Sequence, residues 1–177
     1  MCANGSRIIK GRDYEIYYAP TIDRESLRFM IAIASEENNE LSFINVSNAF
    51  QTNFIFNPED RQYVFVPILY LKWFCFRFPK REILKHANYK KLVMQTVRNI
   101  QGTKDAGYKW YQPLARIFKR LGMKSNSTCK GIWLWEFEGE KNYLALSTDD
   151  ILIVSKSNKF IQALKIKFDI YFTYTVK

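Results

Sequence analysis

Leu144-Ala145-Leu146-Ser147-Thr148-Asp149-Asp150-Ile151-Leu152-Ile153-Val154 sets two adjacent carboxylates between two apolar runs. Each run is too short to span a membrane and suits a short buried strand. Ser-Thr-Asp-Asp between them has turn chemistry, because short polar side chains bond their own backbone. The stretch reads as a β-hairpin with two acids at or beside its tip. Neighbouring Asp side chains repel each other, and a bound cation would remove that repulsion. Hard oxygen ligands suit Mg2+ or Mn2+. A solvated acidic turn accounts for the same residues, so the hairpin alone leaves both readings open.

Composition narrows the choice. The chain has 177 residues, enough for one domain with a real core, or one domain plus a fragment of another. Hydrophobic residues make up 47% and aromatics 16%, which argues against disorder. Lys and Arg number 27 against 17 Asp and Glu, a net charge of +10. A basic, aromatic-rich chain points to a polyanionic partner, nucleic acid before a membrane surface. Cys2, Cys75 and Cys129 are scattered, and the lone His86 lies near none of them. A structural zinc site is thus disfavoured, and reduced intracellular thiols are expected. A second His and a Gly-x-Ser-x-Gly motif are both missing, so no Ser or Cys triad is indicated. No signal peptide or 18-residue apolar run argues for secretion or membrane insertion.

Around the hairpin the chain alternates helix and strand patterns. Residues 1–7 read as a disordered N-terminus, and Asp13 to Tyr18 as a short strand. Asp23 caps a helix over about residues 24–37 with an apolar stripe of Leu27, Met30, Ile31 and Ala34. Leu41–Val46 and Gln62–Val66 are strands, with a turn at Asn57-Pro58-Glu59-Asp60. Tyr70–Pro79 interleaves aromatic and basic residues. It is either a nucleic-acid platform or, the favoured reading, a short amphipathic core helix. Residues 80–91 form a charged connection, and Lys91–Ile100 a strand, with a helix as the alternative. Gln101-Gly102-Thr103-Lys104-Asp105-Ala106-Gly107 has the Gly and Lys that meet phosphates but lacks P-loop spacing, and it also suits a plain turn into a helix. A helix follows over about residues 105–121, with Trp110, Leu114, Ile117, Phe118 and Leu121 on one face and Pro113 inside it. Ile132–Phe137 is a strand, and Lys159–Phe172 a closing helix. This order predicts an α+β fold, an antiparallel sheet with helices packed on one face.

Four blocks in this order resemble the reverse transcriptase of copia-type long-terminal-repeat retrotransposons. Tyr18-Ala19-Pro20 with Ser26-Leu27-Arg28 is similar to the family's F-A-P…S-I-R. Asn45-Val46-Ser47-Asn48-Ala49-Phe50 matches D-V-K-N-A-F at four of six positions. Gln101 to Tyr111 is similar to Y-G-L-K-Q-A-P-R-x-W-Y, and Ser147-Thr148-Asp149-Asp150 stands where the family has Y-V-D-D. Gln-Gly-Thr-Lys-Asp-Ala-Gly with Thr-Asp-Asp also resembles some algal copia-like elements. The resemblance covers roughly residues 8–177.

The resemblance implies a right-hand polymerase palm with partial fingers over residues 8–177 and the thumb missing. It implies RNA-directed DNA polymerisation by two Mg2+ ions, or Mn2+, on an RNA or DNA template with a DNA primer and deoxynucleoside triphosphates. Asp149 and Asp150 would be catalytic metal ligands. Phe50 would lie against the sugar, and Gln101, Gly102 and Lys104 would line the nucleotide pocket. Asn45 stands at the degenerate position of the third metal-binding carboxylate, which implies an impaired copy. The reduced fingers, Ile68-Leu69 in place of prolines, and Pro113 point the same way. The setting implied is intracellular and cytoplasmic, without a membrane, within a larger polyprotein. A catalytically dead remnant that still binds nucleic acid is the alternative, and an unrelated basic interaction domain a weaker third.

Overall fold

A computed structural model of the chain describes residues 4–51, 62–79 and 93–176. The expected turn at residues 57–60, the connection at 80–91 with His86, and Cys2 lie outside the described residues. The chain divides into two units. One comprises residues 1–54 and 99–177, the other Ile55–Arg98.

The larger unit is built on a six-stranded antiparallel sheet. Its strands are β1 (Glu40–Val46), β4 (Lys124–Ser125), β5 (Ile132–Phe137), β6 (Glu140–Ser147), β7 (Asp150–Ser155) and β8 (Tyr174–Val176), in the order β4-β5-β6-β7-β1-β8. Its helices are α1 (Arg24–Glu36), α3 (Ala106–Arg120) and α4 (Asn158–Asp169). The sheet thus bears out the antiparallel α+β expectation.

Strand alternation sorts the sheet into two faces. Ile44, Val46, Trp133, Leu144, Leu146, Ile151 and Ile153 point to the face covered by α3 and α4. There Phe118 is fully buried, 5.2 Å edge-on from Trp133 and stacked 5.9 Å from Phe168. Ala145, Leu152 and Val154 point the other way and pack with Met30 and Ala34 of α1. The one-face expectation therefore holds for α3 and α4, while α1 covers part of the opposite face. Ile31, expected in the α1 stripe, is 44% exposed.

Local chemistry sets the helix ends. Asp23 caps α1, its Oδ1 accepting from the Ser26 N–H at 2.8 Å. Gly122 takes φ +85°, the left-handed value that stops α3. Pro113 leaves α3 continuous from Ala106 to Arg120, although it removes one helical N–H. The buried Trp110, Leu114 and Phe118 face offsets that loss.

The termini depart most from expectation. Gly5–Arg7 is a 3-10 turn capped by Asn4. Asp13–Tyr18 is no strand; only an isolated bridge joins Lys10 and Tyr14. α4 stops at Asp169, and the chain turns to add β8 beside β1. Neither β4 nor β8 carries an alternation long enough to read.

In the smaller unit β2 (Tyr63–Phe65) pairs antiparallel with β3 (Val93–Gln95), both shorter than expected, and α2 spans Ile68–Arg77. Leu71 is the one buried residue of α2. Among the described residues no helix is long and apolar enough to cross a membrane.

Phe118→Ala should lower stability by about 3–5 kcal/mol in denaturant unfolding, since it opens a void where three rings meet.

Candidate active site

The acidic turn is a two-residue hairpin loop, Thr148-Asp149, closed by the Ser147↔Asp150 pair. Thr148 takes φ +58°, costly for a β-branched residue. Two bonds hold this conformation. The Trp110 indole N–H donates to the Thr148 carbonyl at 2.7 Å. The Val46 N–H donates to the Asp149 carbonyl at 2.9 Å. α3 and β1 therefore clamp the loop from two sides.

β1 and β7 run antiparallel in a register that sets Ile44 opposite Ile151 and Asn45 opposite Asp150. Ile44 and Ile151 enter the core, so alternation turns Asn45 and Asp150 to the other face of the sheet. There the Asn45 Nδ2 donates to the Asp150 Oδ1 at 2.7 Å. Only the amide N–H can do this, since a carboxylate is purely an acceptor. Asp150 is exposed, and Asp149 and Asn45 are half-buried.

Asn45 and Asp150 open into a groove of about 510 Å³, lined also by Asp23, Arg24, Phe43 and Ser147. Arg24 and Phe43 carry no motif signal in the sequence, while Ser147 opens the Ser147-Thr148-Asp149-Asp150 block. Strand alternation from Asn45 and Asp150 is the one signal that could have found Phe43. Asp23 brings a second carboxylate to the wall beside Asp150, but its oxygens are engaged. The Ser26 N–H and hydroxyl donate to them at 2.8 and 2.7 Å and hold the group below the usual carboxylate range. Among the described residues no cluster of three or more His, Cys, Asp and Glu could hold a metal ion. Asp149 and Asp150 carry the carboxylate oxygens of this turn, donors of the kind a hard cation takes. Asn45 turns its N–H, not its carbonyl, toward Asp150.

None of the other expected site residues lines this groove. Phe50 lies in a 3-10 turn, Ala49–Gln51, and packs on the α3/α4 core. Gln101, Gly102 and Lys104 are exposed in the loop before α3, with Gly102 at φ +96°. Lys104 is engaged by the N-terminal segment. Its Nζ donates to the Ile8 carbonyl at 3.3 Å and sits 5.9 Å from the Tyr14 ring centroid.

A β-hairpin carrying two acids, backed by helices and joined in register to a neighbouring strand, is the arrangement of a polymerase palm. The chain belongs to the reverse transcriptase (RNA-dependent DNA polymerase) family, whose model matches residues 1–175. Searches of curated proteins and of solved structures found no match.

Trp110→Phe keeps an aromatic side chain but removes the bond to Thr148 and leaves a smaller ring in a buried site. It should cost at least about 1 kcal/mol in denaturant unfolding, with the far-UV spectrum unchanged.

Proposed function

We propose that the chain is the RNA-directed DNA polymerase domain of a copia-type retrotransposon, a palm with part of the fingers, and that Asn45 impairs this copy. The observation carrying the reading is the register that brings Asn45 to Asp150 beside the clamped Asp149 turn. The reaction joins the primer 3′-oxygen to the α-phosphorus of a deoxynucleoside triphosphate. The bond to the β-phosphate breaks and pyrophosphate leaves. Asp149 and Asp150 would hold two Mg2+ ions, or Mn2+. The chemistry supplied by the bound ions is activation of the 3′-hydroxyl and charge stabilisation at the α-phosphate.

The chain's own part is to preset oxygen donors. The Trp110 and Val46 bonds fix the loop backbone, so Asp149 and Asp150 need little reorganisation. Phe50 would exclude a 2′-hydroxyl by bulk. Gln101 and Gly102 would border the nucleotide, and Lys104 would meet phosphate after leaving the Ile8 carbonyl.

Asn45 weakens the site twice. It leaves two carboxylates where the family has three, and its N–H occupies an Asp150 oxygen. A loss of about 4 kcal/mol of transition-state stabilisation corresponds to roughly 10³-fold in rate. The Asn45→Asp revertant should extend a primer at least about 10³-fold faster than the parent chain, with Mg2+ or Mn2+. Adding Asp149→Asn to the revertant should abolish the gain. Equal rates in parent and revertant would overturn the role of Asn45, and a silent revertant would overturn the polymerase reading.

A further inference from the structure

α2 presents apolar residues on two faces. Leu71 is buried, with Phe74 and Cys75 half-buried one turn on. Leu69, Trp73 and Phe76 form a second stripe at i, i+4 and i+7, which share one helix face. They are 80%, 51% and 86% exposed, so they stand as a ridge and line no groove. At 3.6 residues per turn, exposed Lys72 borders the ridge on one side and exposed Arg77 on the other. Trp73 lies 5.5 Å from Tyr70 and edge-on to Phe78 at 6.4 Å, so the ridge continues into an aromatic cluster. The favoured sequence reading, a core helix, accounts for the Leu71 face and leaves the ridge unexplained.

Charge and shape together select the occupant. No Asp or Glu occurs between Arg61 and Arg81. Residues 55–98 carry nine Lys and Arg against three Asp and Glu, most of the chain's net charge of +10. The complementary surface is therefore anionic, and a second copy of the chain would bring the same positive charge. A protruding ridge gains most from a medium that closes around it. Leu69 is aliphatic and gains from hydrocarbon, whereas stacking on flat rings would use only Trp73 and Phe76. Lys and Arg on the two flanks can run their stems along apolar surface and keep their charges at a polar boundary. Leu, Trp and Phe on one face with basic residues beside them is the composition of a helix that lies in a membrane interface.

We propose that the exposed face of α2 seats on an anionic phospholipid surface, with Leu69, Trp73 and Phe76 inserted below the headgroups and Lys72 and Arg77 held among them. The ten residues of α2 would lie along the surface without crossing it. This goes beyond the polymerase reading, since it uses neither a metal ion nor the acidic turn. It also departs from the membrane-free setting that the resemblance implies.

The test mixes the full chain, in EDTA, with vesicles of phosphatidylcholine alone or of phosphatidylcholine with phosphatidylserine. Trp110, Trp133 and Trp135 are buried, so quenching of tryptophan emission by bromine on the acyl chains reports insertion of Trp73. The chain should co-sediment with the anionic vesicles and show that quenching, and should bind the neutral ones at least about tenfold more weakly. Leu69→Ala and Phe76→Ala should each weaken anionic binding about tenfold while every charge is kept. Both side chains are exposed, and circular dichroism checks that the variants fold. Lys72→Gln and Arg77→Gln should each weaken anionic binding about fivefold and leave neutral binding unchanged. Absence of co-sedimentation, or folded Leu69→Ala and Phe76→Ala variants that bind like the parent, would overturn the proposal. Binding of a single-stranded oligonucleotide that needs Phe76 but not Leu69, with no vesicle binding, would overturn it in favour of base stacking. Loss of self-association in both variants, with no vesicle binding by the parent, would overturn it in favour of a second copy. Primer extension by the Asn45→Asp revertant reads the other unit, so its failure leaves this result intact.

Discussion

The register of β1 against β7 is the constraint on which the larger unit depends. Because side chains alternate along a strand, this register does two things at once. It drives Ile44, Val46, Ile151 and Ile153 into the core beneath α3 and α4. It also brings Asn45 to Asp150 on the opposite face. A slip of β1 by one residue would bury Asn45 and turn Ile44 and Val46 out of the core. Burial of a Val or Ile side chain is worth about 1.5–3 kcal/mol, so the core holds the site in place. At the far end of the hairpin, buried Ser155 donates to Asn142 at 2.6 Å and pins β7 to β6.

The site is stiff where the chemistry would need it to be. Thr148 carries an unfavourable backbone angle because an indole from α3 and an amide from β1 hold the loop's carbonyls. Asn45 changes what that stiffness serves. A third acid at its position would repel Asp150 whenever no cation is bound. The amide replaces that repulsion with a hydrogen bond. In the proposed reading, the substitution exchanges a metal-dependent corner for one that is satisfied without metal. That exchange stabilises the fold at the expense of catalysis, the usual direction of such a trade.

Much of this was legible in the residues. The acidic hairpin, β5, α3 with its Gly122 stop, and α1 with its Asp23 cap each have strong local signals. β4 and β8 have two and three residues, too few for periodicity to register. Asp13–Tyr18 has strand-like composition but gains only a single bridge. Composition could not show which side of α2 would be covered. Nor could it show that Asp23 reaches the groove wall with its oxygens already engaged, or that Lys104 is held by the Ile8 carbonyl. Those facts depend on tertiary placement.

The most direct measurement of the Asn45–Asp150 account is thermal unfolding of the parent chain and the Asn45→Asp revertant, in EDTA and in saturating Mn2+. The account predicts that in EDTA the revertant melts below the parent, because a hydrogen bond has become a repulsion. A ligand that binds the folded state stabilises it in proportion to the logarithm of its concentration over Kd. Mn2+ should therefore raise the revertant's Tm well beyond any shift in the parent, closing or reversing the gap. A revertant as stable as the parent in EDTA, with equal shifts in Mn2+, would contradict it.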